Sequence, residues 1–375
     1  MKREEIVPRI DWPRKVEELG FHFHTFDGEV YWDERACYRF TAVEVDTLEA
    51  ATAELQERAI EAVGRVIEKG DYARFRIPEP YHALVEQSWN EDERSLYGRM
   101  DLSWDGSGDP KLLEYNADTP TALLEASVVQ WYWMKDVHPD ADQFNSIHEK
   151  LIERWKEMRG GLPADGRVYF TCELESAEDS GTLDYLRDTA LQADLRAEAI
   201  DVNDIGWDGT RFVDLDNRAI AALFKLYPWE WMLREEFGTN LLRRTTRVIE
   251  PAWKMLLSNK AILPVMWEMF PDHPNLLAAS LEPGRFTTDF VKKPLYSREG
   301  ANVSITTGGK TLEVPGEYGA EGFIWQAYHP LPDFGGHYPV IGSWVVGEES
   351  AGIGIREDDS PITRNSSRFV PHYFR

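Results

Sequence analysis

A mixed fold, part α+β and part α/β, is expected of this chain from three features of its sequence. Long segments with helical apolar spacing come first, strand-like and helix-like stretches alternate from Arg167 onward, and the last third is a series of strands separated by glycine-rich turns. Taken in order, FTAVEVDTLEAATAELQERAIEAVGRVIEKG predicts a long amphipathic helix. Asp46 is its expected N-cap with Glu49 three residues on, and Leu48, Ala51, Leu55, Ala59 and Val63 recur on one face. GRMDLSW and KLLEYN flank DGSGDP, a turn cluster that predicts a hairpin. TPTALLEASVVQWYWMK predicts a second helix capped by Thr119 with Pro120 in its first turn, and DQFNSIHEKLIERWKEM a third from near Asp142. RVYFTCE, RAEAIDV and AIAALFKLY read as strands and DYLRDTALQAD as a helix between them, the pattern of a small parallel layer. Residues 229–270 read as helical, bounded by Pro264 and Pro271. FVKKPL, GFIWQAY, YPVIGSWVV and GIGIRED complete the strands. No repeat or low-complexity linker divides the 375 residues, so any subdomains are closely joined.

Composition narrows the function classes. With 42% hydrophobic and 12% aromatic residues the chain is globular. Its 66 acidic and 41 basic side chains leave a formal charge of -25, which repels nucleic acid and anionic membrane surfaces and attracts cations, unless it serves only solubility. Two cysteines, Cys37 and Cys172, exclude a disulfide framework or a cysteine-rich zinc site. The start, MKREEIVPRIDWPRK, has no apolar core of a signal peptide, and no segment approaches the ~18 apolar residues of a membrane helix, so a cytoplasmic protein is expected.

The hairpin raises the first chemical question. If its loop is symmetric, Asp101 faces Glu114 and Arg99 faces Asn116. Alternation then puts Arg99, Asp101, Ser103, Glu114 and Asn116 on one face, and Met100, Leu102, Trp104, Leu113 and Tyr115 on the other. Opposed like charges are unfavourable. Either a divalent cation such as Mg²⁺ lies between them, which suits one or two carboxylates completed by phosphates and water, or the face is solvated and neutralised by Arg99 and Lys111. Further on, Lys260 in SNKAIL and Lys293 in FVKKPLYSREGANV are positive charges. The loop of Ser297, Arg298, Glu299, Gly300 and Asn302 could turn backbone N–H groups toward phosphate. GFIWQAY, with Gln326, could offer backbone groups to a nucleobase or be an ordinary buried strand.

Together these pieces resemble the synthetase domain of the glutathionylspermidine synthetase family. The resemblance is carried by RMDLSWDG, KLLEYNADTPTALLEASVVQW, DQFNSIHE, EPAWKMLLSNKAILP, HPNLL, VKKPLYSREGANV, YGAEGFIWQ, GSWVV, GIGIRED and ITRNSSRFVPH, in one order over nearly the whole chain. It implies an ATP-grasp fold in the permuted, glutathione-synthetase-like arrangement, because EYN precedes both lysines. It also implies an ATP-dependent carboxylate–amine ligase that works through an acyl phosphate. By the same resemblance Asp101, Glu114 and Asn116 are Mg²⁺ ligands, and Arg99 and Arg356 are catalytic arginines at the transferred phosphoryl group. Lys260, Lys293, Ser297, Arg298, Gly300 and Asn302 bind ATP phosphates, and Gln326 lies at the adenine.

The resemblance makes residues 1–375 one synthetase-type unit, with a substrate-binding α/β subdomain over 165–260 and no amidase domain. A glutathione-like peptide carboxylate and a polyamine or other amine are the expected substrates. Another acid and amine, or a non-catalytic ATP-binding regulator, are the alternatives. In CELESAEDSGT, Glu178 and Asp179 are either amine-binding carboxylates or a solvated acidic turn. His148 and His372 lack a second histidine at ligand spacing and read as structural, while Trp229 and Trp231, beside Pro228, could flank a pocket mouth.

Overall fold

The computed structural model describes residues 1–26, 28–364 and 367–375; Asn365 and Ser366 of ITRNSSRFVPH lie outside them. The long helix runs Ala42–Lys69 and is capped by Thr41 rather than Asp46. The Thr41 hydroxyl accepts the Glu44 N–H, and the Glu44 carboxylate accepts the Thr41 N–H at 2.8 Å. Thr41–Glu44 and Asp46–Glu49 both carry the capping-box spacing. The earlier pair prevails because Val45, like Leu48, belongs to the buried face and is held by the added turn. Leu48, Ala51, Leu55, Ala59 and Val63 are buried as expected, and Gly70 ends the helix in the left-handed region at φ 64°.

The hairpin pairs Tyr97–Ser103 with Lys111–Asn116, Arg99 opposite Asn116 and Asp101 opposite Glu114. Beyond Asp101 the register slips and Leu102 faces Leu112. Leu112 therefore takes the core position expected of Leu113, and Leu113 turns toward the cavity described below. This hairpin is one edge of a five-stranded sheet whose further strands are Tyr338–Val346, Glu349–Asp358 and Arg368–Val370, in that order outward. A second five-stranded sheet orders Ala279–Ser280, Phe290–Pro294, Ser304–Thr307, Lys310–Glu313 and Phe323–Ala327 so that Phe290–Pro294 lies between Phe323–Ala327 and Ser304–Thr307. The Lys293 ammonium donates to the Leu113 carbonyl at 2.7 Å and so joins the two sheets.

A third, all-parallel sheet contains Arg167–Cys172, Arg196–Asp201, Ala222–Lys225 and Arg247–Ile249. Its last strand lies inside the stretch expected to be helical; only Trp229–Met232, Lys254–Leu257 and Ile262–Met269 are α-helical there. Pro264 sits in the first turn of Ile262–Met269, where it has no intrahelical bond to break, and Pro271 follows its end. The second helix does not begin at Thr119 either. Ala122 has φ 66°, the chain turns helical at residue 123, and one π turn, Glu125–Val129, precedes the α-helix Gln130–Val137. The third helix starts at Ile147, because Asp142 and Asn145 are engaged in bridges to Phe374 and Gly352. The acidic CELESAEDSGT forms the start of a helix, Ala177–Gln192, capped by Ser176. Cys37 and Cys172 are free and buried. Among the described residues no helix is long and apolar enough to cross a membrane.

Candidate active site

Between the two five-stranded sheets, and closed on a third side by the chain leaving the parallel sheet, lies a cavity of about 290 Å³. Its apolar wall is built from strand alternation: Val291 lies two residues from Lys293 on one sheet, Ile305 on the neighbouring strand, and Leu113 and Val340 across the gap. Tyr328 and His329, just past the strand Phe323–Ala327, close that end. The opposite end is charged.

At the charged end the hairpin presents its acidic face. Arg99 grips Asp101 with Nε at 2.7 Å and Nη2 at 3.1 Å, and donates from Nη1 to the Thr121 carbonyl at 2.7 Å. The arginine stem has room because Gly342 stands on the adjoining strand; a Cβ there would come within 2.7 Å of the Arg99 Cδ. The Asn116 amide lies between the carboxylates, 3.2 Å from Asp101 and 3.3 Å from Glu114. Glu114 also pairs with Lys260 at 3.2 Å. Burial pushes the Asp101 carboxyl upward against the pull of Arg99, with Glu114 adding to the push. Burial acts the same way on Glu114, but Lys260 and Lys293 outweigh it and bring that pKa down to about 2. For Lys293 burial dominates over Glu114 and lowers the ammonium to about 8.

The two carboxylates bracket the Asn116 NH2 group, which donates to both, and their hard oxygens fit Mg²⁺, which favours one or two carboxylates together with phosphate and water. Among the described residues no group of three or more His, Cys, Asp or Glu side chains is placed to hold a metal ion, so other ligands would have to complete the shell. The surrounding donors fit a polyanion. Arg298 Nε, Arg356 Nε and Ser297 Oγ are buried without a hydrogen-bond partner among the described residues, and all three side chains line the cavity. Unsatisfied buried donors are costly unless a ligand meets them.

The expected site residues thus divide. Arg99, Asp101, Glu114, Asn116, Lys293, Ser297, Arg298, Gly300 and Arg356 line the cavity. Lys260 reaches it through Glu114 and the Ser297 carbonyl, the latter at 2.6 Å. Gln326 lies behind Lys293, accepting from its ammonium at 2.8 Å and donating to the Leu112 carbonyl at 3.2 Å. Asn302 turns away to the Tyr318 carbonyl. Gly300 holds the loop against its neighbour: its φ is 69°, and a Cβ would lie 2.5 Å from the Thr363 carbonyl oxygen. Arg356 donates from Nη2 to the Arg364 carbonyl at 2.6 Å.

On the third wall Trp231 and Pro228 line the cavity, whereas Trp229 is a core residue. Asp179 also lines it, and burial with help from Glu178 raises its carboxyl to about 6. Glu125, absent from the sequence reading, is fully buried in the π turn. It accepts the Tyr31 hydroxyl at 2.7 Å, and burial together with Glu178 lifts it to about 7. The apolar wall was open to discovery through the period-two spacing of Val291 and Lys293. Glu125 had no comparable signal, since one glutamate in an apolar helix does not announce its burial.

The profile of the family described as glutathionylspermidine synthase preATP-grasp matches residues 3–375. A protein of Haemophilus influenzae that carries the provisional name acid–amine ligase is 42% identical, with both chains covered completely. A trypanothione synthetase of Crithidia fasciculata is 29% identical over 84% of this chain, which spans 53% of that protein. Among solved structures, a glutathione synthetase-like effector of Globodera pallida superposes with a TM-score of 0.56, 11% identity, and 98% and 97% of the two chains covered. That likeness shows the glutathione-synthetase-like mixed fold expected from the sequence.

Proposed function

The chain belongs to the glutathionylspermidine synthase family as an acid–amine ligase, and we propose that it joins a glutathione-like peptide carboxylate to a polyamine or other amine at the expense of ATP. The observation that carries this reading is the set of unpartnered buried donors on Arg298, Arg356 and Ser297, three residues that line one cavity together with Asp101 and Glu114. Such a site is built for a polyanion and a cation together. The apolar gap between the sheets, closed by Tyr328, suits the flat adenine ring. Lys260, Lys293 and the Ser297–Gly300 backbone would take the phosphates, while Gln326 acts by holding Lys293.

A carboxylate is a poor electrophile, and transfer of the γ-phosphoryl group to its oxygen gives it a leaving group. The amine nitrogen then attacks the acyl carbon, the C–O bond to phosphate breaks, and the amine loses a proton. ADP, phosphate and an amide result. Magnesium held by Asp101, Glu114 and Asn116 would supply charge neutralisation at the phosphates. The protein's own part is positioning and electrostatics. Arg99 and Arg356 meet the charge spread over the moving phosphoryl group, and the Lys293 ammonium adds a point charge. On the opposite wall Asp179, with Glu178 beside it, is placed to attract a cationic amine.

Phosphate release from ATP·Mg²⁺, measured across a panel of peptides crossed with polyamines and amino acids, tests the reading. Release that needs both an acid and an amine supports it. Nucleotide binding without turnover on any pair would overturn it in favour of a regulator.

A further inference from the structure

Arg298 is held by a closed ring of contacts that begins outside the cavity. Asp118 and Thr119 follow, after Ala117, the strand that carries Glu114 and Asn116, while Trp229 and Glu230 open the short helix after the parallel strand Ala222–Lys225. Asp118 accepts the Trp229 N–H at 2.9 Å and is ion-paired with Lys225, with side-chain exposures of 2% and 0%. One residue further along each segment, the two elements converge on Arg298. Thr119 Oγ accepts from Nη1 at 2.6 Å, Glu230 from Nη2 at 3.1 Å, and the Trp231 ring lies 5.7 Å from the guanidinium carbon. Nε is left without a partner among the described residues.

We propose that Asp118 is a positioning residue: by locking the backbone of Trp229 to the end of the acidic strand, it sets Thr119 and Glu230 as a two-point clamp that aims the Arg298 Nε–H into the cavity. The inference rests on the reading of that cavity as an anion-binding ligase site. A buried aspartate–lysine pair adds little net stability over apolar residues of the same volume, so geometric registration is the effect left to explain its place here. The two halves of the clamp follow strands of different sheets, and Asp118, which belongs to the first segment, bonds to Lys225 and Trp229 of the second.

The test follows the Arg298 Nε–H signal by NMR, assigned with Arg298→Lys, together with binding of tripolyphosphate. The double variant Asp118→Leu/Lys225→Met removes both buried charges together. Folded, it should exchange the Arg298 Nε–H at least tenfold faster and bind tripolyphosphate about tenfold more weakly. Glu230→Gln and Thr119→Val should do the same, whereas Thr119→Ser, which keeps the hydroxyl, should behave as the parent. If the double variant does not fold, Asp118→Asn is read in its place. Unchanged exchange in whichever Asp118 variant folds overturns the proposal. A parent protein that fails to bind tripolyphosphate or turn over ATP would instead count against the ligase site, while the Nε–H signal still decides the clamp.

Discussion

Lys260 stands 3.2 Å from Glu114 and 2.6 Å from the Ser297 carbonyl, so one ammonium ties the acidic hairpin to the glycine loop. Lys260→Met should release both. Loss of one such charge contact at a reacting phosphoryl group costs about 10²–10³ in rate. Phosphate release under saturating substrates should fall by that order while circular dichroism stays unchanged; a variant within about twofold of the parent would remove Lys260 from the site.

Gly300→Ala should separate two loops. Its positive φ costs an L-residue about 1–2 kcal/mol, and the new methyl group would press on the Thr363 carbonyl at 2.5 Å. A modest fall in melting temperature with about a tenfold rise in KM for ATP is expected. Steady-state kinetics at varied ATP, beside a thermal melt, measure both.

Glu125 makes stability fall as pH rises. Its folded carboxyl, lifted from 4.5 to about 7 by burial and Glu178, keeps a proton that the unfolded chain has already lost in that window. The folded state is therefore penalised progressively between those two pH values and remains so above them. At ~1.4 kcal/mol per unit the penalty is about 3–4 kcal/mol. Glu125→Gln should be more stable than the parent at pH 8 by that amount and equal to it at pH 4. Denaturant melts across the range check this, and a difference independent of pH would refute it.

Much of the site was legible because it is local. The Asp-Gly-Pro turn and the alternation around it gave Asp101 opposite Glu114 and Arg99 opposite Asn116 correctly. The bulge was not legible, since Leu112 and Leu113 are chemically identical and only packing chooses which goes inward. Thr119 and Pro120 offer a good helix start, but Arg298 takes the Thr119 hydroxyl and Ala122 breaks the path, a tertiary demand overriding a local one. Lys225 meets Asp118 across 107 residues, and no spacing rule reaches that far. Gln326 shows the same limit: its strand was placed correctly, yet its side chain is spent on Lys293.

Glu114→Gln and Asp101→Asn test the acidic face from two sides. Each should reduce Mg²⁺-dependent phosphate release by about 10²–10³. Each should also cost stability, because Asp101→Asn leaves Arg99 buried beside a neutral partner and Glu114→Gln leaves Lys260 and Lys293 without their carboxylate. Equal activity of either variant with the parent would exclude that residue from the metal site.

The central claim is that the hairpin's carboxylates hold the metal at which ATP is used, and diffraction from crystals grown with Mn²⁺ and a non-hydrolysable ATP analogue tests it most directly. The predicted result is an anomalous peak about 2.1 Å from oxygens of Asp101 and Glu114, with phosphate oxygens completing the shell. A peak elsewhere, with Asp101 still clasped by Arg99 and Glu114 by Lys260, would contradict it.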